Sequence, residues 1–207
     1  MQRVFVIVGF ILLCMAAGGD VFGQVSVRRS RGTHFLVDLN VGTAIYPQVH
    51  PGSNSALAFG TNFGVGGRLA GSPLRAYFTL DYIYSPFFFS ESEQSLSGLE
   101  GMVHTVILGM RALLPIFGGF RGYGDFGLGR SFASTQIQDG RGATYDYRDA
   151  AFGTVMAALG LQFRFDRNFS FGGKMEALFF GKGAELIDLD QGRIDSWRWL
   201  VNATVHF

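Results

Sequence analysis

Alternation of apolar and polar residues is the feature that most constrains how this 207-residue chain can fold. In the run at positions 197–207 every odd position is apolar, whereas Arg198, Asn202, Thr204 and His206 stand at even positions. Successive side chains of a β-strand point to opposite faces, so a period of two predicts a strand with one apolar and one polar face. Eight such runs follow one another after position 32, and no sustained helical period accompanies them.

The connections between these runs alternate in length. Each run is close to the ~10 residues that a tilted membrane strand needs. Short turns at one rim and long loops at the other are typical of outer-membrane barrels, in which the short turns face the periplasm. We therefore predict an all-β fold, an eight-stranded antiparallel up-and-down transmembrane β-barrel over residues 33–207. The predicted short connections are 71–73, 115–120 and 166–167, and the long ones are 47–55, 85–101, 131–149 and 181–195.

The N-terminal segment predicts export. Arg3 precedes an apolar run at positions 4–13, and small residues follow at 16–19, a pattern typical of a secretory signal peptide. A membrane anchor is disfavoured because a spanning helix needs about 20 apolar residues, twice this length. We assign 1–23 to the signal, with cleavage after Gly23 favoured and cleavage after Gly18 or Gly19 as alternatives. Residues 24–32, which are rich in arginine, are predicted to be a periplasmic lead-in.

Cysteine content and charge exclude several classes of function. Cys14 is the only cysteine and lies within the predicted signal, so the exported chain has no disulfide or thiol nucleophile. A lipoprotein site needs a small residue before the cysteine, and Leu13 occupies that position. A formal net charge of +1 gives no reason to expect a nucleic-acid partner.

Alternation alone does not say which face of the barrel meets lipid. A soluble periplasmic barrel would place its apolar face inside, whereas a membrane barrel inverts the arrangement. Long apolar faces, small residues on the polar faces and aromatic residues at both rims favour the membrane alternative. Outer-membrane lipids and lipopolysaccharide are then the expected surroundings. The predicted aromatic belts comprise Tyr82, Tyr84, Trp197 and Trp199 near the long loops, and Phe163, Phe165, Phe169 and Phe207 near the short turns.

The polar faces of the predicted strands carry charges of both signs. Eight strands leave an interior just wide enough for side chains, and an unpaired charge there costs several kcal/mol. We therefore predict a lumen plugged by ion pairs rather than an open pore. The remaining lumen arginines, Arg68, Arg75, Arg111 and Arg164, are predicted to be half-solvated near the rims. The predicted ion-pair network comprises Asp38, Asp81, Asp125, Lys174, Glu176 and Arg198.

Two segments resemble a known family, the small outer-membrane barrels of the OmpA and OmpX type. The run at 201–207 places Val205 two positions before Phe207, which is similar to the C-terminal signal that the barrel assembly machinery recognises in that family. Asn202 departs from the pattern, which usually has glycine there. The run Gly122-Tyr123-Gly124-Asp125-Phe126-Gly127-Leu128-Gly129 resembles the glycine-rich central strand of these barrels. The resemblance implies an outer-membrane location and the barrel assembly machinery as a partner.

No motif predicts a catalytic, cofactor or metal site. Residues 122–127 match the dinucleotide fingerprint but lack the strand and helix that it needs. His104 lies at the outer end of a strand, where lipid A deacylases keep a catalytic histidine, but Val106 replaces their serine. Asp188, Asp190 and Asp195 lack the spacing of a calcium loop. Residues 86–89, an apolar cluster, predict either a contact with lipid or a partner, or a longer third strand.

The function predicted from these observations is structural, with surface interactions through the loops, and no enzyme activity is expected. A narrow channel for small solutes is the main alternative. A lipid-modifying enzyme and a soluble periplasmic ligand-binding barrel are weaker alternatives. Fold alone does not choose among them, because one fold hosts many functions.

Overall fold

The computed structural model describes residues 33–45, 55–90, 98–138, 144–181 and 196–207, which form one closed antiparallel β-barrel. Each strand is hydrogen-bonded to its neighbours in chain order, and the last strand pairs with the first. The predicted eight-stranded up-and-down barrel is confirmed. The strands are β1 (His34–Ile45), β2 (Ser55–Arg68), β3 (Arg75–Ser90), β4 (Gly98–Phe117), β5 (Phe120–Gln138), β6 (Thr144–Arg164), β7 (Phe169–Phe180) and β8 (Ser196–His206).

Two tight connections show why glycine is needed at the short-turn rim. The β4–β5 hairpin turns at Gly118, whose φ is +54°, and the β2–β3 connection turns at Gly71, whose φ is +75°. A side chain rarely adopts this left-handed conformation, whereas glycine does so without steric cost. The amide of Leu69 donates to the carbonyl of Leu74 at 3.0 Å and closes the second turn. We orient this rim toward the periplasm.

The strands on one side of the barrel are longer than the alternation predicts. β4, β5 and β6 contain 20, 19 and 21 residues, so much of the predicted loops 85–101 and 131–149 is paired strand. Those two predictions were therefore wrong in extent. A sheet that has water on both faces does not need an apolar face, so the alternation fades where the strands pass the outer rim. Within 86–89, the backbone belongs to β3, which agrees with the longer third strand.

Several predicted features lie outside the described residues. They are the signal peptide at 1–23, the lead-in at 24–32 with its arginines, Asp188, Asp190 and Asp195, and the side chains of residues 87–89.

The two faces of the barrel wall differ in chemistry. The outward face is apolar, and Phe78 and Leu108 are 69% and 70% exposed. The inward face holds charged side chains, and Asp38, Glu176 and Arg198 are each 0% exposed. This arrangement is the reverse of that in a soluble barrel.

No helix in the described part of the chain is long and apolar enough to cross a membrane.

Candidate functional site in the barrel interior

Arg111 is the hub of a cluster of charges in the lumen. Its Nε and Nη2 atoms donate to the two carboxylate oxygens of Asp125 at 2.7 and 2.8 Å. Its Nη1 atom donates to Oδ2 of Asp38 at 2.5 Å. Asp125 stands directly opposite on β5, whereas Asp38 belongs to β1, three strands away around the wall. The guanidinium therefore ties two distant parts of the wall together through the interior.

The aromatic ring of Tyr123 completes the surroundings of Arg111. The guanidinium carbon lies 4.4 Å from the centroid of this ring, within the range of a cation–π contact. Gly160 stands opposite Tyr123 in the β5–β6 register, and a Cβ atom there would overlap the ring. The glycine therefore makes room for the aromatic side chain that packs on Arg111.

A second charged cluster joins β7 and β8. Glu176 stands opposite Arg198 in the register, and the Arg198 Nη1 atom lies 3.5 Å from Oε1 of Glu176. Lys174 is two residues from Glu176 on the same face, and its Nζ atom lies 2.8 Å from Oε2. All three side chains are buried. Two cations thus share one carboxylate, which leaves the cluster with a net positive charge.

Asp81 adds a further buried carboxylate to the charged layer. Asn62 stands directly opposite on β2, and its amide donates to Oδ1 of Asp81 at 2.5 Å. The amide supplies a hydrogen bond but no charge.

Apolar side chains pack mainly on the long-loop side of the charged layer, although Leu200 follows Arg198 toward the short-turn rim along β8. Ile83 follows Asp81 by two positions on β3, and Ile107 stands opposite Asp81 on β4. The layer also contains a line of hydroxyl groups, in which Thr105, Ser131 and Thr154 lie 2.7 and 2.6 Å apart in turn. The apolar layer comprises Ala44, Ala58, Ile83, Val103, Ile107, Ala133, Ala150, Phe152, Met156, Leu178, Phe180 and Leu200.

A smaller apolar layer lies below the charged layer, and basic residues lie beyond it. Leu36, Tyr77, Leu113 and Tyr123 form this lower layer. Along β3 the inward positions therefore change from Arg75 to Tyr77, then to Asp81 and Ile83 toward the outer rim. Arg68, Arg75, Arg121 and Arg164 occupy inward positions at the periplasmic ends of their strands. From the periplasmic end outward, the interior thus consists of four levels: the arginines, the lower apolar layer, the charged layer and the outer apolar layer.

Many aromatic residues of the outward face lie near the two rims, whereas Phe63 and Phe126 lie between them. Phe117, Phe120, Phe163 and Phe165 form a chain at the short-turn rim, with successive ring centroids 5.1, 4.9 and 5.0 Å apart. Phe169 continues this chain, 6.2 Å from Phe165. Phe207 also lies at this rim, where its amide donates to the carbonyl of Phe35. Tyr82, Tyr84, Trp197 and Trp199 stand on the outer halves of β3 and β8.

His104 belongs to the outer aromatic group. The hydroxyl of Tyr82 lies 2.7 Å from Nδ1 of His104, and the Tyr84 ring centroid lies 5.1 Å from that of His104. Phe132 stands opposite His104 on β5, and Arg130 is two residues before Phe132 on the same outward face. The histidine is thus part of a polar and aromatic patch at the outer rim. We define the outer-rim patch as Tyr82, Tyr84, His104, Arg130 and Phe132.

The structure places each predicted lumen residue on the inward face, but it changes the role of one arginine. Arg111 is only 1% exposed, so its predicted half-solvated position near a rim is wrong. Sequence reasoning also missed Arg121 and the two apolar layers. A signal for the outer layer was present, since Ile83 and Ile107 are apolar residues at positions that the alternation assigns to the polar, inward face.

Among the described residues, no group of three or more His, Cys, Asp or Glu side chains could hold a metal ion. The acidic residues of the lumen are instead surrounded by Arg111, Lys174 and Arg198.

Comparison with known proteins identifies the fold. No family model and no curated protein matches the sequence. Solved structures do match. Neisserial surface protein A is 14% identical, with a TM-score of 0.52 over 84% of this chain and 97% of that one. Ail, the attachment invasion locus protein of Yersinia pestis, is 14% identical, with a TM-score of 0.51 and the same coverage. A major outer membrane protein from Thermus thermophilus is 12% identical, with a TM-score of 0.56 over 86% of this chain and 100% of that one.

The chain therefore has the fold of the small outer-membrane barrels, as the resemblance predicted. A closed barrel pairs its backbone within the wall, which hydrocarbon requires. Its apolar outward face fits hydrocarbon and not water. Fold and surface together place the protein in the outer membrane.

Proposed function

We propose that the protein is an integral outer-membrane barrel with a structural and surface-interaction role, whose lumen is closed to solutes. The contact of Arg111 with both Asp38 and Asp125 is the observation that carries this proposal. It spans the interior and occupies the space that a solute would need. Above the lumen, β3 to β6 continue past the ends of β2 and β7, which provides a raised wall for contacts outside the cell.

The layers around the ion pairs also support a closed lumen. A hydrated ion that entered from outside would meet Ile83, Ile107 and Met156 before it reached the charges. Passage through such a layer requires loss of hydration water, which is costly for a charged or polar solute. The narrow-channel alternative would need both the apolar layer and the Arg111 cluster to open.

Planar-bilayer recording of the purified protein tests the closed lumen. We expect no steady conductance for the wild-type barrel. Arg111→Ser, combined with Asp38→Ser and Asp125→Ser, removes the bulk and charge of the hub, and Ile83→Ser with Ile107→Ser opens the apolar layer. Only a variant that carries both sets should produce brief ionic currents. Steady conductance by the wild type would refute the plug and favour the channel.

We also propose that the outer-rim patch contacts the phosphate groups of lipopolysaccharide. Arg130 is exposed on the outward face, and its guanidinium lies 5.8 Å from the Phe132 centroid. A cation next to aromatic rings at headgroup depth suits a phosphate-bearing lipid. Lipopolysaccharide micelles should raise the melting temperature of the wild type more than that of Arg130→Gln. Arg167→Gln, an exposed arginine in the turn at the opposite rim, is the matched control and should keep the wild-type response.

We infer that Val205 and Phe207 form the signal for the barrel assembly machinery. Val205 belongs to the strand that closes the barrel and pairs with Val37, and Phe207 directly follows that strand. Phe207→Ala should reduce the fraction of barrel assembled in cells while refolding into detergent stays near wild type. Phe165→Ala, another exposed phenylalanine at the same rim, should assemble normally. Equal loss of assembly by both variants would contradict the inference.

A further inference from the structure

The periplasmic end of the lumen is lined by arginines that face one another. Arg68 and Arg75 stand directly opposite across β2 and β3. Arg121 and Arg164 occupy inward positions at the same end of β5 and β6, and Arg164 is two residues beyond Gln162, which stands opposite Arg121. Like charges directly opposite each other destabilise a sheet. We define the inner-mouth ring as Arg68, Arg75, Arg121 and Arg164.

The described acidic groups do not neutralise this ring. Asp166 is two positions from Arg164 in the sequence, but its Oδ1 atom accepts hydrogen bonds from the amides of Asn168 and Phe169 and so forms the turn. Asp38 and Asp125 lie beyond the lower apolar layer and are paired with Arg111. Within the described part of the chain, neither Arg75 nor Arg121 forms an ion pair.

The hydrogen bonds at the mouth likewise leave one arginine donor without an acceptor. The Nε of Arg68 donates to the carbonyl of Ser72 at 2.8 Å, and Arg164 donates to the carbonyls of Asp166 and Arg167. These contacts hold two arginines against the turns. The Nη1 atom of Arg121 is buried with no hydrogen-bond partner among the described residues.

Gln162 provides a second, independent indication of a ligand. It stands directly opposite Arg121 in the β5–β6 register and faces the same interior. It is only 1% exposed, yet its amide nitrogen and oxygen both lack partners among the described residues. Burial of a polar amide without a hydrogen bond is unfavourable. An anion held by the ring would accept hydrogen bonds from Gln162 and Arg121 together.

We propose that the inner-mouth ring is a binding site for a small phosphate-bearing anion that enters from the periplasmic side. Guanidinium groups suit phosphate because each presents two parallel donors. The lower apolar layer of Leu36, Tyr77, Leu113 and Tyr123 forms the floor beneath the ring. The source of the phosphate is either a free periplasmic anion or the headgroup of an inner-leaflet phospholipid.

Calorimetric titration of the whole protein with inorganic pyrophosphate, in a neutral detergent and phosphate-free buffer, tests the site. Replacing one arginine should weaken binding roughly tenfold, because a charge-assisted pair is lost. The variants are Arg75→Gln, Arg121→Gln and their combination, and Arg167→Gln, an exposed arginine of the β6–β7 turn outside the ring, is the matched control. Absence of pyrophosphate binding by the wild type, or equal binding by the double variant, would overturn the proposal.

A stability measurement separates a binding role from a structural one. Because the ring repels itself, Arg75→Gln with Arg121→Gln should match or exceed the wild-type melting temperature in the absence of anion. Pyrophosphate should then raise the melting temperature of the wild type only. A double variant that is less stable than the wild type without anion would show that the arginines hold the fold together, which contradicts the proposal.

Nanodiscs distinguish the two sources of phosphate. If a phospholipid headgroup occupies the ring, pyrophosphate should bind more weakly in phosphatidylglycerol nanodiscs than in phosphatidylcholine nanodiscs. If the ligand is a free anion, the two affinities should agree once ionic strength has screened the surface charge of the lipid. Both results support the site and differ only in the ligand's origin.

Discussion

The Nη1 atom of Arg111 on β4 donates to the carboxylate of Asp38 on β1 across 73 positions of sequence, at a distance of 2.5 Å. Both side chains are completely buried. The contact joins strands that do not pair with each other, so it constrains the cross-section of the barrel as well as its charge. The other guanidinium donors hold Asp125, so one cation pairs with two carboxylates, although Oδ1 of Asp38 has no hydrogen-bond partner among the described residues.

Arg111→Met should be strongly destabilising because it leaves two carboxylates in the lumen without their cation. Removing one partner of a buried ion pair costs about 3–5 kcal/mol. Urea unfolding in lipid vesicles, followed by tryptophan fluorescence, measures this change. Arg130→Met removes an exposed arginine from the outward face and should change stability by less than about 1 kcal/mol. If the two variants lost similar stability, the hub would have no special role.

The Glu176 cluster predicts a different response to charge removal. Glu176→Gln leaves Lys174 and Arg198 close together without a carboxylate, and a loss of about 3 kcal/mol or more is expected. Lys174→Met added to Glu176→Gln should recover part of that loss, because one of the two uncompensated cations disappears. A double-mutant cycle from urea unfolding gives the coupling. Additive effects of the two substitutions would show that the 2.8 Å contact between Lys174 and Glu176 contributes little.

The sequence predicts which residues of each strand face the lumen, because the pleat of a strand repeats every two residues. Asp38, Asp81 and Glu176 were placed inside from alternation alone, since their neighbours Leu39, Leu80 and Ala177 occupy the opposite parity. The barrel and its strand order followed from the number of runs and the lengths of the connections. This part of the fold needed only local information.

The partners of the lumen charges could not be predicted in the same way. Asp38 and Arg111 meet because of the tilt and stagger of the whole barrel, which no single strand encodes. Arg111 lies near the middle of the charged layer although it is only seven residues from the β4–β5 turn at Gly118. The outer apolar layer was missed for a related reason. Ile107 lies between Val106 and Leu108, so three consecutive residues are apolar and the alternation does not mark Ile107 as an inward residue.

Ile107 and Leu108 offer a matched test of the apolar layer inside the barrel. Ile107→Ala should leave a cavity in the lumen and cost about 2–4 kcal/mol. Leu108→Ala removes a side chain that is 70% exposed on the lipid face, so lipid fills the space and the loss should be smaller. Urea unfolding of both variants in the same vesicles provides the measurement. A greater loss for Leu108→Ala would mean that the inward apolar residues do not pack as a core.

Gly160 provides a steric test of the arrangement around the hub. A Cβ atom at this position would overlap the ring of Tyr123, which packs against Arg111, so Gly160→Ala should cost about 1–3 kcal/mol. Gly153→Ala on the same strand is the control, because a Cβ atom there meets nothing within 4 Å, and it should be nearly neutral. Tyr123→Leu should relieve part of the Gly160→Ala defect, since a smaller side chain leaves room for the methyl group. If the double variant were as unstable as the sum of the single ones, the clash would lie elsewhere and Tyr123 would not be the side chain that requires glycine at this position.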